Sequence, residues 1–135
     1  MVQNPILQAL VLADHVYTDA MSGKKIIAGV FHNLWAAAFP TRLSRWTWAY
    51  VCLTELKGSV PITLRYTDLQ TNEVLLSTRT LTMQSSDPLQ SCELLIQVPP
   101  FPMPHAGTYV FEVFAGDESI GSLRITVGEI KKGET

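Results

Sequence analysis

Charged residues are scarce in this sequence. Asp, Glu, Lys and Arg make up 16% of the 135 residues, against about 25% in an average soluble protein. The net charge is −2 and the pI is about 5.9, so there is no excess of positive charge to bind nucleic acid or an anionic membrane. We therefore expect neither as a partner. So few charges also leave little electrostatic repulsion to keep copies of the protein apart.

Long apolar runs are also lacking. The charge-free stretch Leu94–Phe111 contains Gln97, four prolines and His105, so it differs from the roughly 20 apolar residues of a membrane span. The run Ala9–Ala13 is too short for the apolar part of a signal peptide, and no basic residue precedes Asp14. We expect a cytoplasmic protein.

Cysteine is limited to Cys52 and Cys92, each in the middle of a strand-like segment. The two are far apart in sequence and have no His or Cys neighbours, which does not fit a zinc site. They could form a disulfide between two sheets, as in immunoglobulin domains, or remain buried free thiols. Because no export signal is found, free thiols are the expectation.

Recognised catalytic motifs are missing as well, since there is neither a glycine-rich phosphate loop nor a Gly-x-Ser-x-Gly turn. Asp14, His15 and Asp19 are the nearest approach to a polar constellation, and a His flanked by carboxylates can bind a metal or act as a general base. Their spacing matches no zinc or hydrolase signature, and Asp19 precedes Ser22-Gly23, where a short carboxylate stabilises a turn. We expect no catalytic residues, metal or cofactor. A metal-dependent enzyme around Asp14 and His15 is the third hypothesis.

What the sequence does contain is a regular series of strand-like segments. Val, Ile, Leu, Thr, Tyr and Phe are concentrated in short runs that turn residues separate, and no segment has a helical period. The runs are Ile6–Ala13, Lys25–Phe31, Thr47–Leu56, Pro61–Asp68, Glu73–Met83, Ser91–Val98, Thr108–Ala115 and Ser119–Val127. We predict one domain over residues 1–135, an all-β, antiparallel, immunoglobulin-like β-sandwich of about seven to nine strands.

Several local features refine this prediction. Alternation in the last two runs across Gly116-Asp117 predicts a β-hairpin, because glycine tolerates the positive φ of a tight turn. The run Ile6–Ala13 is apolar on both faces apart from Gln8, so we expect it to lie centrally or to be covered on both sides. The proline-rich Pro99–Pro104 should leave the sheet as a connector. The segment Leu34–Pro40 fits either a short helical turn or an extended crossover.

Two portions of the sequence carry a resemblance. Ala9–Val16 followed by Gly23–Phe31, and Ala106–Glu118 followed by Ser122–Val127, resemble a family of small single-domain bacterial proteins of unknown function. The likeness runs from Leu7 to Val127, and the middle matches in strand rhythm only. The resemblance implies a β-sandwich and a bacterial source. It implies no catalytic residues, because none is established for such a family.

Aromatic residues are concentrated beside Ile26–Thr41, a stretch without formal charge. The strand that begins at Thr47 carries large apolar side chains on both faces, whereas a sandwich strand normally has one face in water. Large aromatics fill cores, but they are also enriched where one protein surface binds another. The candidate partner-binding residues are Trp35, Phe39, Arg42, Arg45, Trp46 and Trp48, with the two arginines as a polar rim.

The leading functional hypothesis is a non-enzymatic association or structural module. It would bind a second copy of itself, as a homo-oligomer, or another protein through the surface around Leu34–Trp48. The alternative is a small-ligand or carbohydrate-binding module that uses tryptophans in its loops.

Overall fold

The computed structural model describes residues 4–131, which form twelve strands and no helix. The strands are β1 (Ile6–Thr18), β2 (Lys25–Val30), β3 (Asn33–Ala36), β4 (Thr41–Arg42), β5 (Thr47–Thr54), β6 (Gly58–Asp68), β7 (Glu73–Ser77), β8 (Leu81–Ser85), β9 (Cys92–Val98), β10 (Pro102–Met103), β11 (Gly107–Ala115) and β12 (Glu118–Glu129). Over these residues no helical membrane span is found.

The strands form two main sheets. The four-stranded sheet has the order β2-β1-β5-β9, and all of its pairs are antiparallel. The six-stranded sheet has the order β3-β12-β11-β6-β7, with β8 also paired to β6, and only β3 runs parallel to its neighbour β12. β4 and β10 form a separate two-stranded ribbon. The predicted all-β sandwich is confirmed.

The predicted strand number of seven to nine is too low. The short strands β3, β4 and β10 are additional, and the predicted run Glu73–Met83 is divided into β7 and β8. The division arises because the two pieces pair with different halves of the long strand β6: β7 with Arg65–Asp68 and β8 with Gly58–Ile62. Between them, Thr78 exchanges hydrogen bonds with the Leu64 backbone.

The core lies between the two main sheets. The four-stranded sheet contributes Leu12, Val51 and Leu53, and the six-stranded sheet contributes Leu64 and Ile125, all essentially inaccessible to solvent. Three buried rings meet at its centre: Tyr66 lies 4.7 Å from Phe101 and 4.8 Å from Phe111 between ring centroids. Since Phe101 belongs to the proline-rich connector, that connector is anchored in the core as well as linking two strands.

The predicted β-hairpin is confirmed. β11 and β12 pair from Gly107↔Val127 to Ala115↔Glu118, and Gly116 takes a φ of +63° in the turn. β1 lies between β2 and β5 in the order of the sheet, but the run Ile6–Ala13, predicted to be central, pairs with β5 on one edge, and β2 pairs only from Ala13 onward. β1 continues beyond its predicted end because its second half pairs with β2 after its contact with β5 ends at Ala13.

Two open alternatives are resolved. Leu34–Pro40 is extended rather than helical, because β3 takes up its first part beside β12. Cys52 and Cys92 are free. They lie on neighbouring strands of the same sheet, and their register places Cys92 opposite the core residue Leu53 and Cys52 opposite Glu93. Their side chains therefore point to opposite faces, which rules out the inter-sheet disulfide.

Candidate interaction surface

The candidate site is the side of the four-stranded sheet that faces away from the core, called here the outer face. Side chains alternate between the two faces of a sheet, so the residues that flank the buried ones in each strand point outward. β1 contributes Ala9, Val11, Ala13, His15 and Tyr17, and β2 contributes Ile26, Ala28 and Val30. β5 with the residue before it contributes Trp46, Trp48, Tyr50 and Cys52, and β9 contributes Glu93, Leu95 and Gln97.

The outer face is apolar and accessible. Tyr17, Ile26, Val30 and Trp46 are each about half exposed, between 49% and 54%. Trp48 and Tyr50 follow Trp46 along β5 on the same face and are partly exposed. An antiparallel sheet in a sandwich normally turns a polar face to water. A large apolar area in that position is characteristic of a protein-binding surface.

The six-stranded sheet has the normal polar outer side. Its outward positions are mostly Thr, Ser, Arg and Glu, among them Thr63, Arg65, Thr67, Glu112, Ser122, Arg124 and Thr126. Two aromatic side chains lie on this side: Phe114 is covered by the Arg65 guanidinium, whose central carbon lies 4.2 Å from the ring centroid, and Trp35 is exposed on the edge strand β3. The scarcity of charge in the sequence is therefore concentrated on one side of the sandwich.

The charged or titratable side chains of the outer face, other than tyrosine and cysteine, are few and lie toward its two ends, while the uncharged Gln97 pairs with Trp48. Glu93, on the edge strand β9, accepts a hydrogen bond from the Tyr50 hydroxyl. That hydrogen bond, together with burial, raises the pKa of the Tyr50 phenol. His15 lies toward the opposite end, where its ring stacks on that of Tyr17 at 5.8 Å between centroids. These are the only Asp, Glu, Lys, Arg or His residues among the residues that define the outer face.

The structure divides the six residues predicted from the sequence between separate places. Trp35, Arg42 and Arg45 line a shallow groove of about 430 Å³. Trp46 and Trp48 line a different groove of about 450 Å³, which also includes Arg79 and Gln97. The two grooves share no lining residue. The expectation of one surface around Leu34–Trp48 is therefore corrected: Trp46 and Trp48 belong to the outer face, and the other four residues do not.

Those four residues have structural contacts of their own. The Trp35 ring lies against the backbone of Gly128, where an added Cβ would stand 2.4 Å from ring atom Cζ3, although 67% of Trp35 is exposed. Phe39 packs against the core. Arg42 donates a hydrogen bond to the carbonyl oxygen of Pro100 at 3.0 Å.

The predicted polar constellation is not assembled. Asp14 and His15 are consecutive in β1 and so point to opposite faces of the sheet. Asp14 forms an ion pair with Arg45, whose Nε and Nη2 both lie 3.0 Å from Oδ1. Asp19 accepts hydrogen bonds from the Ser22 amide and hydroxyl, which confirms its predicted role in the turn. Within residues 4–131 no group of three or more His, Cys, Asp and Glu side chains could hold a metal ion.

A buried polar cluster at the start of β11 was not predicted. His105 Nε2 lies 2.6 Å from Oδ2 of Asp68, a residue that is only 2% exposed. The Tyr109 hydroxyl donates to the carbonyl oxygen of His105 at 2.6 Å. A tyrosine at this position, bonded to the backbone a few residues upstream, is the tyrosine corner of immunoglobulin-like sandwiches. The Tyr four residues after His105 was the available sequence signal, whereas nothing in sequence joins His105 to Asp68.

The sequence of this chain was compared with models of known protein families. A model of a family of unknown function, DUF6941, matches residues 8–128. The chain belongs to this family. Membership confirms the resemblance seen in the two portions of the sequence, and the region matched contains the whole outer face from Ala9 to Gln97.

DUF6941 is described only as a family of unknown function, so membership assigns no activity. Among solved structures, an immunoglobulin-like protein from Pseudomonas aeruginosa aligns with 93% of this chain and 97% of its own, at 14% identity and a TM-score of 0.44. Among the curated proteins, none matches. The sandwich is established by the strand pairing and the core described above.

Proposed function

We propose that this protein is a non-enzymatic association module that binds protein through the outer face of its four-stranded sheet. The observation that carries the proposal is the difference between the two sides of the sandwich. One presents mostly Thr, Ser, Arg and Glu to water, with exposed apolar side chains only on its edge strands (Trp35 and Val74), while the other presents Trp46, Tyr17, Ile26 and Val30 about half exposed. Leaving such a side in water forgoes the free energy gained when apolar surface is buried.

The size of the outer face suits a protein contact. Four strands about 4.8 Å apart and nine residues of β1 at about 3.4 Å each span about 500 Å² in projection. Side chains make the accessible area larger than the projection, and stable complexes bury about 800 Å² on each partner. The face is therefore of the right order for one specific contact.

Its chemistry suits a protein contact as well. Trp48 and Tyr50 lie near its centre on β5, with Val11 and Ala13 beside them on β1. Tryptophan and tyrosine are the side chains most often found at the energetic centres of interfaces, with weaker contacts around them that exclude water. The low formal charge of the face also keeps the cost of desolvation small.

The first prediction tests this proposal with matched variants. Val30→Lys on β2 and Trp46→Ala change the outer face, whereas Val74→Lys on β7 and Trp35→Ala change similarly exposed residues elsewhere. The tagged chain, produced in its native organism, is sized by native gel filtration with mass spectrometry. We expect the wild type and both controls in complexes larger than the 15.0 kDa monomer, and the two face variants as monomers.

A wild-type protein that is monomeric both in the lysate and after purification would contradict the proposal. So would complexes that all four variants retain. Circular dichroism of each variant verifies folding, which half-exposed substitutions should leave intact.

A second candidate function is favoured by the groove at the edge of the face. Besides Trp46 and Trp48, it is lined by Gln97 and by Arg79, whose side chain makes no hydrogen bond or ion pair within residues 4–131. Tryptophan rings beside an amide and a guanidinium could bind a sugar or another small polar ligand. This is the second prediction: soluble oligosaccharides, including acidic ones, should raise the Tm of the wild type and of Trp35→Ala but not of Arg79→Ala. If no member of the panel raises the Tm, this candidate is rejected.

A further inference from the structure

We infer that the partner bound by the outer face is a second copy of this chain, in a face-to-face dimer with two-fold symmetry. The inference rests on the proposed function and adds the identity of the partner. It is carried by the positions of the one histidine and the one carboxylate on the outer face, His15 and Glu93.

The register of the four-stranded sheet places these two groups symmetrically about one point. β1 and β9 are the two neighbours of β5. Along β1, His15 lies two residues beyond Ala13, which pairs with Trp48. Along β9, Glu93 pairs with Cys52, two residues beyond Tyr50 in the opposite direction. The midpoint between His15 and Glu93 therefore falls on β5 between Trp48 and Tyr50, and the two groups are about 20 Å apart.

A two-fold axis in the plane of the contact brings complementary groups together twice. If it passes through that midpoint, perpendicular to the line from His15 to Glu93, each His15 meets Glu93 of the second copy. An imidazole N–H and a carboxylate form a hydrogen-bonded pair, so His15 gains an acceptor, and Glu93, which already accepts from Tyr50, gains a second donor. A different partner protein would need its own carboxylate and its own imidazole at the matching positions. In a two-fold dimer the second copy supplies both, because the same surface contacts itself.

The same axis places the aromatic centre of the face against itself. Trp48 and Tyr50 lie on either side of the axis, so Trp48 of each copy packs against Tyr50 of the other. This arrangement puts tryptophan and tyrosine at the centre, where they contribute most, and the polar groups at the ends. The net charge of −2 produces little repulsion between two copies. A second copy thus satisfies the shape, the apolar surface and the polar groups of the outer face together.

The third prediction concerns the purified full chain in sedimentation velocity, over low micromolar to near-millimolar concentrations. We expect a concentration-dependent species of twice the 15.0 kDa monomer mass. His15→Glu sets two carboxylates against each other, and Glu93→Arg removes the acceptor. Each should weaken the dimer about tenfold or more in Kd. The double variant with both substitutions inverts the pair and should recover most of the affinity.

The control Glu73→Arg changes an exposed carboxylate of β7, remote from the outer face, and should leave the dimer unchanged. A purified chain that is monomeric throughout would overturn the inference, whereas the proposed function would survive if Val30→Lys and Trp46→Ala still abolish a complex in the lysate. A dimer indifferent to both charge changes, or one that the double variant fails to restore, would also overturn it. A dimer that is indifferent to both charge changes would point to another contact between the copies, such as pairing of two β2 edges.

Discussion

His105 shows how one side chain can join distant parts of the chain. Its Nδ1 lies 2.7 Å from the carbonyl oxygen of Ala106, and its Nε2 lies 2.6 Å from a carboxylate oxygen of Asp68. Both neighbours are hydrogen-bond acceptors, so both ring nitrogens must carry a proton. The geometry therefore selects the imidazolium form, and the pair connects the end of β6 to the start of β11 as a salt bridge.

The surroundings shift both pKa values in the direction that favours the charged pair. The hydrogen bond to the Ala106 carbonyl, followed by that to Asp68, raises the pKa of His105 above 6.5. Burial acts to raise the pKa of Asp68, but the hydrogen bonds from His105 and from the Gln70 amide outweigh it and hold that pKa below 3.8. Stabilisation by His105 is complete below 6.5 and is lost as the pH rises through its raised pKa. Stabilisation by Asp68 is complete above 3.8 and is lost as the pH falls through its lowered pKa.

The fourth prediction follows from these signs. The free energy of unfolding, measured with urea, should be greatest between the two ordinary pKa values, 3.8 and 6.5, and should fall as the pH rises from 6.5 through the raised pKa of His105. His105→Gln keeps a donor toward Asp68 but does not titrate, so much of this fall should disappear. His105→Ala leaves a buried carboxylate without its partner and should cost about 3 kcal/mol or more. An identical pH dependence in the wild type and His105→Gln would contradict the assignment.

At the scale of the element, the β1–β2 hairpin depends on a close approach. Gly29 in β2 has a φ of +77°, and a Cβ added there would lie 2.6 Å from Oδ2 of Asp14. Asp14 is itself held by Arg45 at 3.0 Å, so it has little freedom to move aside. Gly23, in the turn of the same hairpin, has a similar φ of +75° but nothing within 4 Å of an added Cβ.

The fifth prediction compares these two glycines. Gly23→Ala should lose about 1 kcal/mol of unfolding free energy, because alanine is strained at positive φ. Gly29→Ala carries the same strain and also displaces the Asp14 carboxylate, so it should lose about 2 to 3 kcal/mol. Urea unfolding measures both. Equal losses at the two positions would show that the contact with Asp14 contributes nothing.

The elements also show where pattern reasoning succeeds. The β11–β12 hairpin was predictable because alternation and its turn are both local in sequence. β3 was not, since its four residues form a strand only because β12, about ninety residues later, offers a parallel edge. Glu73–Met83 was read as one run because the sequence does not reveal that β6 is long enough to pair with two successive strands.

At the scale of the whole molecule, the important property is the unequal character of the two outer sides. Composition shows that charge is scarce, but an average says nothing about where it is scarce. Folding places Arg65, Glu112 and Arg124 on the outward side of the six-stranded sheet. The other sheet receives the aromatic and aliphatic surface. An exposed apolar face results from this distribution, without any sequence motif.

The sequence by itself determined the class of fold, the terminal hairpin and the turn built on Asp19. All of these depend on period-two alternation and on residues close together in the chain, and such signals are readable without tertiary structure. The sequence also indicated an aromatic segment and put Trp46 and Trp48 on one face of their strand.

Only the tertiary structure decided which aromatic residues share a surface. Trp35 and Trp46 are eleven residues apart in sequence, yet they line separate grooves because β3 joins the six-stranded sheet and β5 the four-stranded one. The contact between His105 and Asp68 and the positions of His15 and Glu93 about β5 were likewise decided by strand order. Pairing between distant strands places residues side by side, and neither composition nor local periodicity carries that information.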